Sequence, residues 1–208
     1  MNYALTNYNN ILKNIAPNKL IVVTKTINED CILPILEAGH ILFGENKVQE
    51  ATLKWASLKQ KYNICLHMLG SLQSNKIKQA VEIFDVIQSL DKEKNAKLLA
   101  EHQEKIGKYL DYYIQVNTGE EIQKSGVAPQ DTYDFVNFCR ELKLNIKGLM
   151  CVPPANKPSG IHFALLKKLA TKCNLPNLSM GMSQDYKTAI QLGASYIRIG
   201  TAIFGERK

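Results

Sequence analysis

The sequence predicts an α/β fold, namely a single (β/α)8 TIM barrel with an extra N-terminal helix. Two observations lead to this prediction: short apolar runs alternate with longer amphipathic stretches, and eight such runs are present. Strands that alternate with helices of about ten or more residues form βαβ units, and eight units without long insertions close naturally into a barrel. The length of 208 residues is near the lower limit for this fold. An open doubly wound sheet is the alternative.

The predicted elements follow one another in a regular order. A first helix is expected over residues 3–15, where apolar residues recur with helical spacing. Runs of apolar, often β-branched residues predict the strands at 20–24, 40–43, 64–69, 83–88, 110–116, 145–150, 177–180 and 195–199. Amphipathic stretches between them predict helices at 28–38, 46–61, 73–81, 91–106, 129–142, 160–173 and 184–192. The first helix can fill the eighth outer position, because the chain ends soon after the eighth strand.

The composition is that of an ordinary soluble protein, with 45% hydrophobic and 22% charged residues. No linker or low-complexity tract interrupts residues 1–208, so we predict one domain. No apolar run approaches the ~18 residues of a membrane-spanning helix. The first residues lack the charged and apolar regions of a signal peptide. We therefore expect a cytoplasmic protein that contacts no membrane.

The cysteines argue against a disulfide framework and against a zinc site. Their number is odd, they are widely spaced, and no Cys-x-x-Cys pair occurs among the five. We therefore predict no metal site. Because their neighbours are apolar, we interpret the cysteines as small core residues: Cys31, Cys65, Cys139, Cys151 and Cys173.

The net charge of +7 could indicate a nucleic-acid partner, but the distribution of the basic residues does not. Lysine supplies 23 of the 26 basic residues and is spread over the whole chain. Arginine, which is preferred for reading base edges, occurs only three times. We predict no nucleic-acid binding and interpret the charge as solvated helix faces. The scarcity of arginine gives weight to Arg198, which lies inside an apolar strand.

In a parallel barrel the carboxyl ends of all strands meet at one rim, where enzymes of this fold bind their ligands. Polar or glycine-containing segments follow most of the predicted strands. We expect these segments to converge on one site. They are Lys25, Gly44-Glu45-Asn46, Gly70-Ser71, Asp91, Asn117-Thr118-Gly119, Gly181-Met182-Ser183 and Gly200-Thr201.

Lys25 ends the first predicted strand and is the strongest candidate for covalent chemistry. Partial burial disfavours an ammonium group relative to the neutral amine, and a neutral amine can attack a carbonyl carbon to form a Schiff base. The alternative is an ordinary solvated lysine at the end of a strand, since the chain contains 22 other lysines.

Two glycine-containing loops predict a phosphate site across the barrel mouth from this lysine. Gly181-Met182-Ser183 follows the seventh strand, and we expect Ser183 to be the N-cap of the next helix. Gly200-Thr201 follows the eighth strand and leads into a final helical turn. Glycines let backbone N–H groups approach a ligand, and barrels frequently bind phosphate with these two loops. The alternative is a pair of ordinary turns.

A lysine and a phosphate site at one barrel mouth suit an aldehyde that bears a phosphate, and pyridoxal 5′-phosphate is such a cofactor. Arg198 would then face the nitrogen of the pyridine ring, where a permanent cation makes the cofactor a poor electron sink. The alternative for Arg198 is a barrel-lining residue paired to a carboxylate. His67, near the end of the third strand, is either an acid–base group or a structural histidine. Lys76, Lys124 and Asn75 are further candidates for the mouth.

Seven stretches of the chain match one known family in the family's order. They are Val23-Thr24-Lys25-Thr26, FGENKVQE (43–50), HMLGSLQSNK (67–76), Lys124-Ser125-Gly126, Gly148-Leu149-Met150, LSMGMSQD (178–185) and RIGTAIFG (198–205). On these motifs, which cover nearly the whole chain, the sequence resembles the YggS/PROSC family of pyridoxal phosphate-binding proteins. The resemblance implies a single barrel similar to the N-terminal domain of alanine racemase, with the cofactor bound to Lys25. Members are usually described as carriers or regulators of the cofactor, without an established catalytic activity.

The resemblance also implies a role for each matched position. Lys25 would hold the aldehyde, Asn46 would flank the ring, and Arg198 would meet the ring nitrogen. The phosphate would be bound by the last two loops, with Gly181, Met182, Ser183, Gly200 and Thr201. The chain departs from the family in a shorter segment before Lys25 and in a compressed loop over residues 153–160. Neither departure removes a matched position.

Two classes of function follow from these residues. The first is a binding protein that stores pyridoxal phosphate and delivers it to apo-enzymes, with a monomer as the default state. The second is an amino-acid racemase of the alanine racemase type, which needs two bases on opposite faces of the substrate. In that family the second base is a tyrosine from a partner chain with an added β domain. We expect no such domain here, and no rim tyrosine is identifiable, so the binding protein is favoured. An aldolase that uses Lys25 as its own nucleophile is a third hypothesis, which requires that the cofactor is absent.

Overall fold

The computed structural model describes residues 3–16 and 19–206, and this part of the chain forms a barrel of eight parallel strands surrounded by nine helices. The strands are β1 (Leu20–Val23), β2 (Leu42–Glu45), β3 (Cys65–Met68), β4 (Val86–Leu90), β5 (Asp111–Val116), β6 (Asn145–Cys151), β7 (Asn177–Ser179) and β8 (Ile197–Ile199). The helices are α1 (Tyr3–Leu12), α2 (Glu29–Glu37), α3 (Val48–Lys61), α4 (Ile77–Ile83), α5 (Glu93–Ile106), α6 (Thr132–Glu141), α7 (Ser159–Lys172), α8 (Tyr186–Gln191) and α9 (Thr201–Phe204). The predicted barrel with an extra N-terminal helix is confirmed.

The strands pair in the order of the sequence, and the first strand also pairs with the last. β1 is parallel to both β2 and β8, with Leu20 opposite Ile197. Between β7 and β8 the contact is a single parallel bridge from Ser179 to Tyr196. There Tyr196 N–H donates to Leu178 O (3.0 Å) and Met180 N–H donates to Tyr196 O (3.0 Å). The sheet is therefore nearly closed, which excludes the open doubly wound alternative.

Burial follows the periodicities of the sequence. All four residues of β1 are buried, as expected for a strand that is covered on both faces. Helix α3 buries one face, and Trp55 on that face packs on Phe43 of β2 with ring centroids 4.8 Å apart. No helix within the described ranges is long and apolar enough to cross a membrane.

Two strands begin and end later than predicted. β2 covers Leu42–Glu45 instead of 40–43, because Thr24 N–H donates to Gly44 O (2.9 Å) and Leu69 N–H donates to Glu45 O (2.8 Å). β4 covers Val86–Leu90 instead of 83–88, because residue 83 still belongs to α4. As a result Glu45 is fully buried within the barrel wall rather than exposed in a rim loop.

Helix α1 completes the outer ring. It ends at Leu12, before the predicted residue 15, and packs against α2 and α9. Asn7 Nδ2–H donates to the carbonyl oxygen of Ile203 in α9 (3.0 Å). The extra helix therefore lies beside the short final helix, as the sequence predicted.

Three of the cysteines are core residues, as predicted. Cys139, Cys151 and Cys173 are buried, and burial raises the pKa of the Cys139 and Cys151 thiols to about 12. The prediction is wrong for Cys31, which is exposed on α2, and Cys65 is only partly buried. In α2 the residues that face the barrel are Ile32, Ile35 and Leu36.

Leu66→Ala should lower the free energy of unfolding by about 2–5 kcal/mol, because Leu66 in β3 is fully buried and its truncation leaves a cavity. Leu53→Ala is the matched control, since Leu53 is 83% exposed and its truncation should change that free energy by less than about 0.5 kcal/mol. Urea denaturation measures both, and the m-value should be unchanged. Equal midpoints for the two variants would contradict the position of β3 in the barrel.

Candidate functional site

The carboxyl ends of six strands surround a cavity of about 310 Å³. Small-molecule sites in proteins commonly measure ~300–1,000 Å³, so this volume suits a small ligand. Of the eight positions predicted to bind the cofactor, seven line the cavity and Gly181 does not. The lining residues are Val23, Lys25, Asn46, Leu69, Met150, Val152, Met182, Ser183, Arg198, Gly200 and Thr201.

Lys25 follows β1 directly and is partly buried in the cavity wall. The residue before it, Thr24, is fully buried, and its hydroxyl donates to Glu45 Oε1 (2.7 Å). The residue after it, Thr26, has a φ of 62°, which is uncommon for a β-branched residue. The backbone on both sides of Lys25 therefore has a specific conformation.

Asn46 separates this cavity from a neighbouring one. It lines both, and the second cavity, of about 450 Å³, also includes Lys76. A third cavity of about 520 Å³ includes Lys124. The structure thus brings Lys76 and Lys124 to the barrel mouth, whereas Asn75 lines none of these three cavities in the described part of the chain.

Arg198 extends from β8 into the cavity wall and is only 5% exposed. Its Nη1 donates to Ser179 Oγ (2.7 Å), and its Nη2 donates to Cys151 O (2.8 Å). Neither acceptor is a carboxylate, so the alternative of a carboxylate-paired arginine does not describe these contacts. Burial lowers the pKa of Arg198, but the guanidinium stays protonated near neutral pH because its ordinary pKa is above ~12.

A chain of buried hydrogen bonds continues from Arg198 into the barrel. Ser179 O–H donates to Gln88 Oε1 (2.6 Å), and Gln88 Nε2–H donates to His67 Nδ1 (3.0 Å). Arg198 donates, Ser179 Oγ both accepts and donates, and Gln88 uses both its amide oxygen and its amide nitrogen, so each bond in the chain joins a donor to an acceptor. The chain therefore holds the guanidinium of Arg198 in one orientation.

His67 is a structural residue in this arrangement. It is fully buried in β3 and does not line the cavity. Burial lowers the pKa of His67 to about 3, so the ring is neutral at ordinary pH and can accept from Gln88. Of the two roles considered for this histidine, the structure supports the structural one.

Ser183 is not the N-cap of α8, contrary to the prediction. Helix α8 begins at Tyr186, and Asp185 occupies the position before it. Ser183 Oγ instead accepts a hydrogen bond from Ala202 N–H (3.2 Å) at the start of α9. The prediction is wrong because the turn before α8 is longer than expected, so that α8 begins at Tyr186 instead of at residue 184. Its hydroxyl joins the loop after β7 to the helix after β8.

Gly181 supports the site from behind the cavity wall. Its φ is 92°, and a Cβ atom here would lie 2.5 Å from the Cβ atom of Ala189 in α8. Its carbonyl oxygen accepts from Arg198 N–H (2.9 Å). A glycine is therefore needed for the turn and for the close packing of α8, rather than for contact with the cavity.

Sequence reasoning missed two polar residues that support the site. Gln88 and Ser179 lie in apolar runs that were interpreted only as strands. A polar side chain in such a run needs a buried partner, because an unpaired polar group inside a protein is costly. That signal was present in the sequence, although it does not identify the partner.

Comparisons with known proteins relate this barrel to one family. A family model for the alanine racemase N-terminal domain matches residues 4–208. A protein named pyridoxal phosphate homeostasis protein from Pasteurella multocida (strain Pm70) is 39% identical over 202 residues, which are 91% of this chain and 86% of that protein.

Solved structures agree with this relationship. PipY of Synechococcus elongatus PCC7942 matches with a TM-score of 0.91 at 33% identity without pyridoxal phosphate, and 0.87 at 32% with it bound. Both matches cover 97% of this chain and 100% of that one. Alanine racemase from Acinetobacter baumannii shares the fold alone, with a TM-score of 0.81 at 16% identity over 99% of this chain and 62% of that one. The chain therefore belongs to the family of pyridoxal phosphate homeostasis proteins, and the alanine racemase N-terminal domain spans nearly all of it.

Proposed function

We propose that this protein binds pyridoxal 5′-phosphate as a Schiff base on Lys25 and acts in intracellular pyridoxal phosphate homeostasis. It would store the cofactor in the cytoplasm, regulate its supply or deliver it to apo-enzymes, and would do so as a monomer without catalytic turnover. The observation that supports this most directly is that Lys25, Arg198, Ser183 and Thr201 line one cavity. The description of PipY with pyridoxal phosphate bound adds support.

The donors of the cavity suit a phosphorylated aldehyde. Within the described part of the chain, the lining has two basic side chains and no acidic one. Positive charge together with N–H and O–H donors stabilises a phosphate. Ser183 Oγ accepts from Ala202 N–H, so its own proton remains available for a ligand. Thr201 and Gly200 complete this side of the proposed phosphate site.

The other side of the cavity suits an aromatic ring. Val23, Leu69, Met150 and Val152 provide apolar contacts, and Asn46 would flank the ring. When bound, pyridoxal phosphate supplies an aldehyde carbon that reacts with amines and a ring that withdraws electrons. Lys25 would hold the aldehyde, because it is the only primary amine in the described lining.

Arg198 would limit the chemistry at this site. Its guanidinium can only donate hydrogen bonds, and Ser179 and Cys151 hold it in place. A donor opposite the ring nitrogen keeps that nitrogen unprotonated, which makes the ring a weak electron sink. This arrangement favours holding the cofactor over using it.

The racemase alternative needs a second acid–base group that faces Lys25 across the substrate. Within the described lining, Lys25 and Arg198 are the only titratable side chains, and arginine does not exchange its proton near neutral pH. No tyrosine is in the described lining, and Tyr186, three residues after Ser183, begins α8. For these reasons the binding role is preferred. The aldolase alternative would require purified protein without the visible absorbance of an imine.

Lys25→Ala should abolish the visible imine absorbance that pyridoxal phosphate gives with the wild-type protein. Borohydride reduces an imine to a stable amine, so peptide mapping of the reduced wild-type protein should find the cofactor on Lys25. The exposed Lys78 on α4 provides a control, because Lys78→Ala should change neither result. A reduced adduct that persists in Lys25→Ala on another lysine would overturn the assignment.

Replacement of Ser183 and Thr201 together by alanine should weaken the affinity for pyridoxal phosphate more than that for pyridoxal. Hydrogen bonds to a charged group are worth ~1.5–3 kcal/mol each, which is about tenfold or more in affinity per bond. Backbone N–H groups would retain part of the phosphate contact. Equilibrium titration of both vitamers tests this, and equal weakening would mean that the phosphate binds elsewhere.

The reconstituted protein should not racemise L-alanine at a useful rate, because the far face of the substrate has no base. Incubation in deuterated water separates the steps, since α-deuterium reports proton removal and D-alanine reports inversion. Enzymes typically turn over at ~1–1,000 per second, so a rate about a thousandfold lower is incidental chemistry. Rapid D-alanine formation that disappears in Lys25→Ala would favour the racemase instead.

A further inference from the structure

The two peptide groups that flank the Cα atom of Lys25 are both bound to one polar cluster, which is largely but not fully buried. On the N-terminal side, Thr24 O accepts a hydrogen bond from Lys54 Nζ (2.7 Å). On the C-terminal side, Thr26 N–H donates to Glu50 Oε1 (2.5 Å). Neither Lys54 nor Glu50 lines the cavity. Both residues thus contact the backbone beside Lys25, one on each side.

Lys54 is the centre of this cluster. Besides Thr24 O, its Nζ donates to Glu45 Oε1 (2.9 Å) and to Glu50 Oε1 (2.9 Å), so all three N–H donors of the ammonium are used. Lys54 is 8% exposed and Glu45 is fully buried. Breaking a buried ion pair leaves an uncompensated charge, so these groups strongly resist separation. The Lys54 cluster, which we define as Glu45, Glu50 and Lys54, is thus a rigid anchor.

The backbone after Lys25 needs such an anchor. Thr26 has a φ of 62°, in the left-handed region that a β-branched residue rarely adopts. Conformations of this kind persist only where surrounding contacts hold them, and they concentrate at functional sites. Two hydrogen bonds hold Thr26 here: its own N–H donates to Glu50, and Ile27 N–H donates to Thr24 O (3.0 Å) and closes the turn. Thr26 itself is exposed and does not line the cavity.

Glu50 is an ionised acceptor in this contact. Burial by itself raises the pKa of Glu50, but the hydrogen bonds from Lys54 and Thr26 N–H, with the charges of Lys54 and Lys47, lower it more. The net pKa of Glu50 is below its ordinary value. An ionised carboxylate accepts a stronger hydrogen bond than a neutral group does.

We propose that Glu50 and Lys54 are positioning residues for Lys25, which fix the backbone on both sides of it so that its amine is aimed at the aldehyde carbon. The proposal rests on the proposed function, because it concerns the rate of Schiff-base formation. In that step Lys25 Nζ forms a C=N bond to the aldehyde carbon, and the carbonyl oxygen leaves as water with both protons of the neutral amine. Correct alignment of the reacting atoms accelerates such a step without contact between the positioning group and the ligand.

The chain offers a closely matched control at the other end of α3. Asp85 accepts from Leu66 N–H (2.7 Å) and from Nζ of Lys59, a residue of α3 (2.5 Å). Glu50 likewise accepts from a backbone N–H and from a lysine of α3. The side chains are similarly exposed, 31% for Asp85 and 25% for Glu50. Asp85→Ala therefore reproduces the loss of an ion pair and of a backbone contact, but far from Lys25.

Stopped-flow measurement of imine absorbance after addition of pyridoxal phosphate to the apo-protein tests the proposal. Glu50→Ala should form the imine about tenfold more slowly, as expected for the loss of one charge-assisted hydrogen bond that holds the reacting geometry. Asp85→Ala should react within about twofold of the wild type, even where thermal melting shows a comparable loss of stability.

Two conservative variants show whether the rate depends on the length of the side chain at position 50 or on its charge. Because both are small changes, they also guard against a slow rate that is caused by misfolding. Glu50→Gln keeps an oxygen at the same distance from Thr26 N–H and should restore most of the rate. Glu50→Asp keeps the charge beside Lys54 but is one methylene too short to reach Thr26, so it should remain slow. Normal rates in both Glu50→Ala and Glu50→Asp would overturn the proposal. So would an equal loss of rate in Asp85→Ala, or a fast Glu50→Asp beside a slow Glu50→Gln.

Failure of the proposed function gives a different result. If the wild-type protein formed no imine on Lys25, the proposed function would be wrong. The positioning of Lys25 would then be measured as the rate at which trinitrobenzenesulfonate modifies its amine. Peptide mapping would show that the modified residue is Lys25. The same ranking of variants is expected with this reagent. An unchanged Lys25 reactivity in Glu50→Ala and Glu50→Asp would reject the positioning role by itself.

Discussion

The junction between β7 and β8 decides whether the cavity exists, because the groups proposed to bind phosphate and ring nitrogen come from these two strands. Only a few backbone hydrogen bonds join them, among them Tyr196 N–H to Leu178 O and Arg198 N–H to Gly181 O. The Ser183–Ala202 contact extends the junction beyond the strands. Closure also removes the free edges that an open sheet would expose. The weak junction of an otherwise regular barrel thus lies between the two strands that carry the groups proposed to bind the phosphate and the ring nitrogen.

Two buried cations then organise neighbouring parts of the site: Arg198 lies in the cavity wall on β8, and Lys54 contacts the backbone after the adjacent strand β1. Arg198 is held by Ser179 and Cys151, and Lys54 is held by Glu45, Glu50 and Thr24. A charge in a protein interior is tolerated only when hydrogen bonds and counter-charges satisfy it. The same contacts that satisfy these cations restrict their motion. The hydrogen bonds that burial requires therefore hold the site in one arrangement. The groups proposed to bind the ligand need little rearrangement to do so.

Within the described lining, the site has one amine and no second base, which suits it to holding an aldehyde. Schiff-base formation is reversible. A correctly oriented amine and a phosphate site would therefore retain the proposed cofactor without carrying it into a further reaction. In the proposed function, Arg198 would add to this by weakening the electron demand of the ring. Catalysis would need the opposite features, namely a carboxylate at the ring nitrogen and a second proton carrier. The proposed role in cofactor homeostasis follows from this combination of groups.

The sequence alone determined the barrel, the order of its elements and most of the residues at its mouth, because strand and helix periodicities and the rim rule for parallel barrels are local or topological properties. It also identified Lys25 and Arg198 as unusual for their positions. It misplaced the ends of β2 and β4, because a strand continues wherever its neighbours offer partners. The role of Ser183, the burial of His67 and the anchoring of Lys25 by Glu50 and Lys54 were decided by the tertiary structure. Each depends on a hydrogen bond between segments that are distant along the chain or separated by a helical turn, and only the closed barrel brings such partners within reach.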